Sequence, residues 1–262
     1  MKTRILAITT VLAVGFSGTC FAGSYSNDFS SGVGAASLRG SAVVDSGSVR
    51  LTPSAGGNEG SLVIDNLDPG RTVQSFDASF TLAIGPGSTP PADGVSFSFG
   101  PPPGGTYGES GAPTGIAVVF DIYDNGETPT PPVIRIMVNG TQVAATTGTL
   151  FTAGAFVPVS IHVDGGGLDL NFNSGAIVFT NALLPGYVPS SQYQFTFGAR
   201  TGSLEAEQRI DDVAITTSVA APLAVPTLAE WGTIALAGLL ALFAAFALRG
   251  ARTGRIGTSR RV

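Results

Sequence analysis

The sequence predicts an all-β protein built from two packed antiparallel sheets, and three observations indicate this. Apolar runs of strand length recur at short spacing along the chain. The 262 residues include 36 Gly and 17 Pro, which separate these runs as turn residues do. Sixteen Phe supply the volume of a hydrophobic core, so the composition is not that of a disordered chain.

The chain begins with a predicted secretory signal peptide, residues 1–22. Lys2 and Arg4 form its positively charged start, an apolar stretch follows, and cleavage is expected after Ala22. The only cysteine, Cys20, precedes that point. The mature chain would then have neither a disulfide nor a catalytic thiol, and its stability would come from the core.

Residues 23–217 are predicted to form the sandwich, a jelly roll of about 195 residues, which is a usual size for one all-β domain. No segment before residue 228 has the periodicity of a helix. The predicted strands are 42–44, 48–52, 60–64, 73–84, 95–100, 116–123, 133–138, 141–146, 157–164, 168–173, 176–180, 193–200 and 208–216.

Two local patterns support these assignments. Asn139-Gly140 lies between two apolar runs, and both residue types tolerate positive φ, so a two-residue hairpin is predicted. In the run 73–84, polar Asp77, Ser79 and Thr81 alternate with apolar neighbours, which predicts one solvated face.

The stretch 92–125 brings acidic residues to the ends of two strands. Asp93 opens the first strand, and Asp121 and Asp124 close the second. The Pro/Gly-rich segment 101–114 between them is predicted to be a surface loop. If this loop returns the second strand beside the first, their oxygen ligands gather at one rim of a sheet.

The charges are unevenly distributed. Residues 24–230 contain six Arg, no Lys and 18 Asp or Glu, a net charge of −12, whereas five arginines and no acid follow Leu248. An acidic exported domain argues against nucleic acid as a partner. The lone His162 cannot build a histidine-rich metal site, nor a typical nucleophile triad with the missing cysteine.

The C-terminal part predicts a linker, a membrane span and a cytoplasmic tail. Residues 218–227 have small side chains and two prolines, as linkers do. Residues 228–248 are predicted to form a transmembrane helix in the inner membrane, because Trp231 to Leu248 is uncharged over 18 residues. The arginine-rich residues 249–262 suit the cytoplasmic side.

This C-terminal part resembles the IPTL-CTERM sorting signal, a relative of the PEP-CTERM signals of Gram-negative bacteria. The resemblance rests on a short motif followed by the apolar helix and the arginines, with Val225 in place of the name-giving Ile. It implies an exosortase-type membrane enzyme as a partner and cleavage near the motif. The matching residues are Val225, Pro226, Thr227, Leu228, Ala229, Glu230, Trp231 and Gly232.

The domain before it resembles the concanavalin A-like jelly rolls, with its best local match to legume-type lectins. Ala92-Asp93-Gly94 resembles their sugar-binding segment, in which the Ala-Asp peptide bond is cis. Gly104-Gly105 resembles their glycine loop, and residues 119–125 resemble their metal loop. The resemblance implies carbohydrate binding through Asp93, Gly104, Gly105, Tyr123 and Asn125.

The same resemblance implies a possible calcium site formed by the Asp121 carboxylate, the Tyr123 carbonyl and the Asn125 side chain. A further carboxylate is needed, and Glu127 or Asp124 is the local supply. This sequence departs from the family at two places: Val119 replaces a metal-binding glutamate, and no histidine lies near Val133.

Each of these residues also has a purely structural interpretation. Asp121 can simply end a strand, and Asp93-Gly94 and Asn125-Gly126 can form turns. Tyr107 and Tyr123 can pack on a sugar or within the protein.

Three functions are compared. The first is a surface lectin-like domain that binds carbohydrate, with calcium as a possible cofactor. The alternative is a non-catalytic structural or adhesive protein of the extracellular matrix without a small ligand. A glycoside hydrolase needs two carboxylates that face each other across a cleft. No strand shows such a pair, and Glu205 and Glu207 are expected to be solvated, so we expect no enzymatic activity.

Overall fold

The computed structural model describes residues 20–220 and 228–253, and these fall into two separate compact units. The second unit contains one helix, α1 (Leu228–Thr253), and the first contains 15 strands among its described residues. The strands are β1 (Cys20–Asn27), β2 (Ala36–Gly40), β3 (Val43–Asp45), β4 (Ser48–Thr52), β5 (Glu59–Ile64), β6 (Val73–Gly87), β7 (Gly94–Gly100), β8 (Ile116–Asp121), β9 (Val133–Val138), β10 (Thr141–Thr147), β11 (Val157–Asp164), β12 (Gly167–Phe172), β13 (Ile177–Ala182), β14 (Gln194–Arg200) and β15 (Ala206–Val219).

The strands form two antiparallel sheets, as predicted. The eight-stranded sheet has the order β13-β12-β11-β6-β15-β4-β3, and β1 pairs with the end of β15. The seven-stranded sheet has the order β10-β9-β8-β7-β14-β5-β2. Because neighbours such as β7 and β14 are far apart in sequence, most pairing is long-range.

Phenylalanine rings fill the space between the sheets. Phe80 of the eight-stranded sheet lies with its ring centroid 5.8 Å from Phe97 and 4.9 Å from Phe197 of the other sheet. Phe76 packs edge-on against Phe195 at 5.1 Å. These rings are at most 3% exposed, so the sheets are held together by a continuous aromatic core.

The predicted strands are confirmed, with shifts of one to three residues at most ends. The predicted hairpin at Asn139-Gly140 is confirmed, with φ of 49° and 73°. In β6, Asp77 and Ser79 are exposed while Phe76, Ala78 and Phe80 are buried, which confirms the predicted solvated face.

Two strands were not predicted, and both ends of the domain differ from the predicted bounds. β2 is a short edge strand with only intermediate and exposed residues, so it lacks the apolar alternation that marks a strand. β1 begins at Cys20, inside the predicted signal peptide, whose residues 1–19 lie outside the described part. β15 continues to Val219, so the predicted linker 218–227 starts two residues too early. Its residues 221–227 lie outside the described part.

The second unit is the helix α1, which covers the predicted transmembrane segment 228–248. Within residues 20–220 and 228–253, however, no helix combines the length and apolar character needed to cross a membrane. The transmembrane helix predicted from the uncharged run is therefore not found. The motif residues 225–227 and tail residues 254–262 lie outside the described part, and α1 begins with the motif residue Leu228.

Candidate functional site

The register of the seven-stranded sheet brings the predicted acidic residues to one rim. Across β14, β7 and β8, Arg200 lies opposite Gly94, and Gly94 lies opposite Asp121. Directly opposed residues of an antiparallel pair point to the same face. These residues therefore share the face that points away from the phenylalanine core.

Asp93 is fixed immediately beside this row. Its peptide bond with Ala92 is cis, which confirms the prediction made from the lectin resemblance. Its N–H donates to the Arg200 carbonyl at 3.1 Å, and its carbonyl accepts from the Ile122 N–H at 3.0 Å. Asp93 is thus bound through its backbone to both β14 and the start of the predicted metal loop.

The Asp93 side chain is 5% exposed and faces the Arg200 guanidinium, with 3.3 Å between Oδ2 and Nε. Both of these atoms are buried and neither makes a hydrogen bond. Arg200 Nη2 also lies 2.7 Å from Glu109 Oε1. Burial raises the pKa of Asp93 and of Glu109, and the Arg200 charge partly offsets this increase.

A second arginine occupies the predicted metal loop. Arg135 on β9 pairs through Nη2 with Asp121 Oδ2, and the same nitrogen lies 3.7 Å from Glu127 Oε1. Asp121 is 2% exposed. An ionised carboxylate at this depth requires a partner, because burial removes its hydration, and Arg135 is that partner.

The backbone of the loop completes the hydrogen bonds of both carboxylates. The Tyr123 N–H donates to Asp121 Oδ1 at 3.1 Å, and the Asn125 N–H donates to Glu127 Oε2 at 2.7 Å. Asp124 Oδ1 accepts from the Gly126 N–H at 2.8 Å. Of the predicted calcium ligands, Asp121 and Glu127 come together at the Arg135 guanidinium. Tyr123 and Asn125 contact these carboxylates through their backbone N–H groups.

This arrangement does not fit calcium, which takes six to eight oxygen ligands. All four carboxylate oxygens of Asp121 and Glu127 already face a guanidinium or a backbone N–H. Across the part of the chain that the structure describes, no three His, Cys, Asp or Glu side chains are grouped to hold a metal ion.

The loop 101–115 is docked on the outer face of the seven-stranded sheet. Ser61 Oγ donates to the Tyr107 carbonyl at 2.9 Å, and Ser96 Oγ donates to the Gly108 carbonyl at 2.7 Å. Ala112 N–H donates to Ser98 Oγ at 3.0 Å. These bonds bury the three serines, while loop residues such as Pro102 and Ser110 stay exposed, so the predicted surface loop is confirmed and is in addition docked on the sheet.

Gly104 and Gly105 occupy the far end of this loop. The Gly105 carbonyl lies 3.4 Å from Arg39 Nη1 on the edge strand β2. β2 is three strands away from β7 in the sheet, a separation of roughly 14 Å at the usual strand spacing. The structure therefore brings together Asp93 and the loop 121–127, while Gly105 contacts Arg39 and the next residue, Thr106, contacts Glu59 on β5.

A groove of about 370 Å³ begins at Ile122, whose N–H donates to the Asp93 carbonyl, and Asp93 itself does not line it. It is lined by Pro90, Pro91, Ile122, Tyr123, Asp124, Pro131, Pro132 and Phe151. Three strand connections, β6–β7, β8–β9 and β10–β11, supply this lining, so the groove belongs to the same rim. A larger cavity of about 700 Å³ lies on the other sheet, around His162 and Asp77, and contains none of the predicted site residues.

Sequence reasoning missed Arg135, Arg200, Glu109 and Phe151. Arg135 carried a usable signal, because it stands between Ile134 and Ile136, both fully buried. Strand alternation therefore directs Arg135 to the outer face, where Asp121 lies. Glu109 and Phe151 carried no comparable signal, since the path of a long loop decides where their side chains lie.

Residues 24–149 match the legume-like lectin family. No curated protein matches the chain.

Similar solved structures include the exoplasmic/lumenal domain of VIP36 in its Ca²⁺/Man-bound form, with a TM-score of 0.59, 20% identity, and coverage of 77% of this chain and 98% of that chain. The lectin from Bauhinia forficata in complex with GalNAc gives a TM-score of 0.62, 22% identity, and coverage of 76% and 99%. Basic winged bean lectin with Tn-antigen gives 0.60, 23%, and coverage of 76% and 99%. The strand unit of this chain has the legume-like lectin fold, the concanavalin A-like sandwich that its sequence resembles.

Proposed function

We propose that the β-sandwich is an exported, non-catalytic carbohydrate-binding module whose site is the groove beside Asp93. The observation that carries this proposal is the position of Asp93, which two backbone hydrogen bonds fix between β14 and the loop 121–127. The VIP36 domain and the Bauhinia forficata lectin, which share the fold, were solved with mannose and GalNAc.

The groove has the composition that a small neutral ligand requires. Ligand sites are concave and largely apolar, with few polar groups, and span about 300–1,000 Å³. Tyr123 and Phe151 supply aromatic surface beside five other apolar residues, and Asp124 supplies a carboxylate. Phe151 is 37% exposed, so its ring is accessible to a sugar face.

Asp93 would accept hydrogen bonds from sugar hydroxyls. Its Oδ2 has no hydrogen-bond donor, and buried polar atoms normally have one. The neighbouring Arg200 side chain is 43% exposed, so its guanidinium has room to shift when a ligand enters.

The test is a glycan array that includes mannose and GalNAc, probed with the full chain in calcium and again in EGTA. Retention of a defined glycan class supports the proposal. An array without signal in both conditions overturns it.

One observation favours the alternative of a structural or adhesive matrix protein. Asp93 and Asp121 are both buried and both face an arginine, as expected of charges that only stabilise a fold. A glycan array without signal in calcium and in EGTA would favour this second function.

We further propose that the chain is exported and then sorted, with the signal peptide removed after Ala22 and the C-terminal part cut between Pro226 and Trp231 by an exosortase-type enzyme. The charged start, the motif at 225–232 and the terminal arginines support this. Mass spectrometry of the mature protein from a host with such an enzyme should show a chain that starts at Gly23 and lacks the tail. A Pro226→Ala variant should keep the tail, and a wild-type chain that ends at Val262 contradicts the proposal.

A further inference from the structure

Arg135 lies on the strand that follows the loop 121–127. It is opposite Val119 on β8, and Asp121 is two residues further along the same strand. Diagonal neighbours of this kind have Cβ atoms about 7–8 Å apart, within reach of an arginine side chain. The sheet itself therefore directs the guanidinium to the loop.

Arg135 is one of the few positively charged residues of this domain, and its side chain is nearly buried. Residues 24–230 contain six arginines and no lysine. The Arg135 side chain is only 12% exposed, which is unusual for an arginine unless it is paired. Burial lowers the pKa of Arg135, but a guanidinium remains protonated at neutral pH, so it supplies a cation at this position.

The guanidinium places a positive charge between the two carboxylates of the loop, as a bound metal ion would. It faces Asp121 Oδ2 and Glu127 Oε1 from the strand side. The other oxygen of each carboxylate accepts a backbone N–H, from Tyr123 and Asn125 respectively. The two ends of the loop are thus joined through one positive charge.

A calcium ion and Arg135 would compete for the same carboxylate oxygen of Asp121. Calcium binding would require the guanidinium to leave its buried position and Glu127 to give up its bond to the Asn125 N–H. We propose that Arg135 is a built-in cation that replaces calcium and orders the loop 121–127 without any metal.

This inference does not depend on carbohydrate binding, because its readout is stability. The first arm measures the melting temperature of the full chain in 5 mM calcium and in EGTA. An exchangeable calcium site with a dissociation constant of about 0.1–1 mM would raise the melting temperature by about 2–9 °C. The proposal predicts a shift of less than about 1 °C, which is below that calcium effect, and any larger calcium-dependent shift overturns it.

The second arm removes the cation. Arg135→Met keeps the length of the side chain and leaves the buried Asp121 carboxylate without its ion-pair partner, so the melting temperature should fall by several degrees. Arg50→Met is the matched control, because it removes an arginine that lies 30% exposed beside Asp45 on the other sheet, where Arg209 also pairs with Asp45. Arg135→Met with no greater loss than Arg50→Met contradicts the proposal.

The third arm separates charge from packing. Asp121→Asn introduced into Arg135→Met removes the unpaired charge, so the double variant should melt higher than Arg135→Met alone. Additive losses would show that Arg135 acts only by filling space, and would overturn the proposal. If Arg135→Met does not fold, the calcium arm on the wild-type chain decides the matter alone.

Discussion

At the scale of single residues, the placement of arginine distinguishes this domain. Two of the six arginines between residues 24 and 230 face the two buried aspartates of the candidate site. Such pairing is what allows a carboxylate to be buried. Asp93 and Asp121 were recognisable in the sequence as acidic residues at strand ends, but their partners belong to β14 and β9. Arg200 is revealed only by the pairing of β7 with β14, which is distant in sequence, whereas Arg135 lies on the strand next after β8, and strand alternation alone directs it to the outer face.

His162 supports a pH prediction at the same scale. Its Nδ1 lies 2.7 Å from Asp77 Oδ1, and its Nε2 lies 3.6 Å from Asp164 Oδ2. The hydrogen bond with Asp77 raises the pKa of His162 in the folded chain. Because the folded pKa is above the unfolded value of about 6.5, the protonated ring stabilises the fold below that pH. This contribution is lost as the pH rises through the folded pKa.

We therefore expect His162→Gln to destabilise the protein at pH 5.5 and to be neutral at pH 9. The difference is about 0.5 kcal/mol, because both side chains are exposed to solvent, which screens the pair. Urea unfolding at the two pH values measures it. An equal loss at both values would mean that His162 contributes by packing rather than by charge.

At the scale of elements, the loop 101–115 is held on the sheet by a row of small residues. Ser61, Ser96 and Gly198 face it, and a Cβ on Gly198 would lie 2.0 Å from the Tyr107 carbonyl oxygen. The sequence predicted both strands that flank this loop but not its docking. Serines and a glycine on the outer face are equally compatible with a solvated sheet.

Gly198→Ala should displace this loop from the sheet. We expect a loss of about 1–3 kcal/mol, the usual result of forcing extra volume into a packed site, together with faster amide exchange across 101–115. Gly165→Ala is the control, because a Cβ at Gly165 meets nothing within 4 Å. Unchanged exchange in Gly198→Ala would show that the loop does not depend on this close approach.

At the scale of the whole molecule, the fold was predictable because its determinants are local. Alternating apolar residues and turn residues such as Asn139-Gly140 specify strands one at a time. The edge strand β2 and the first strand β1 lack this alternation, and they were missed. The candidate site depends instead on how strands pair across the sheet, so only its aspartates at strand ends were identified from the sequence.

The aromatic core should dominate the stability of the sandwich. Phe97 is 1% exposed, and its ring lies 5.2–6.2 Å from those of Phe76, Phe80, Phe195 and Phe197. Phe97→Ala should cost about 3–5 kcal/mol through lost burial and the cavity that remains. Phe156→Ala, at a residue 42% exposed, should cost less than about 1 kcal/mol. Denaturant unfolding compares the two, and similar losses would contradict the role of the core.

The central claim is that the rim around Asp93 binds carbohydrate without calcium. Its most direct test is the affinity of the full chain, in EGTA, for the strongest glycan on the array, measured for wild type, Asp93→Asn and Asp65→Asn. Because Asn has nearly the same shape as Asp and Arg200 keeps its pairing with Glu109, the Asp93→Asn variant should fold.

Asp65 is the matched control. It is exposed and follows the last residue of β5, whereas the first residue of β5, Glu59, is the one that lies opposite Arg200 in the sheet. We predict that wild type and Asp65→Asn bind equally in EGTA and that Asp93→Asn loses about tenfold or more, the loss expected for a hydrogen bond to a charged group. Unchanged affinity in Asp93→Asn, or binding that appears only with calcium, would contradict the claim.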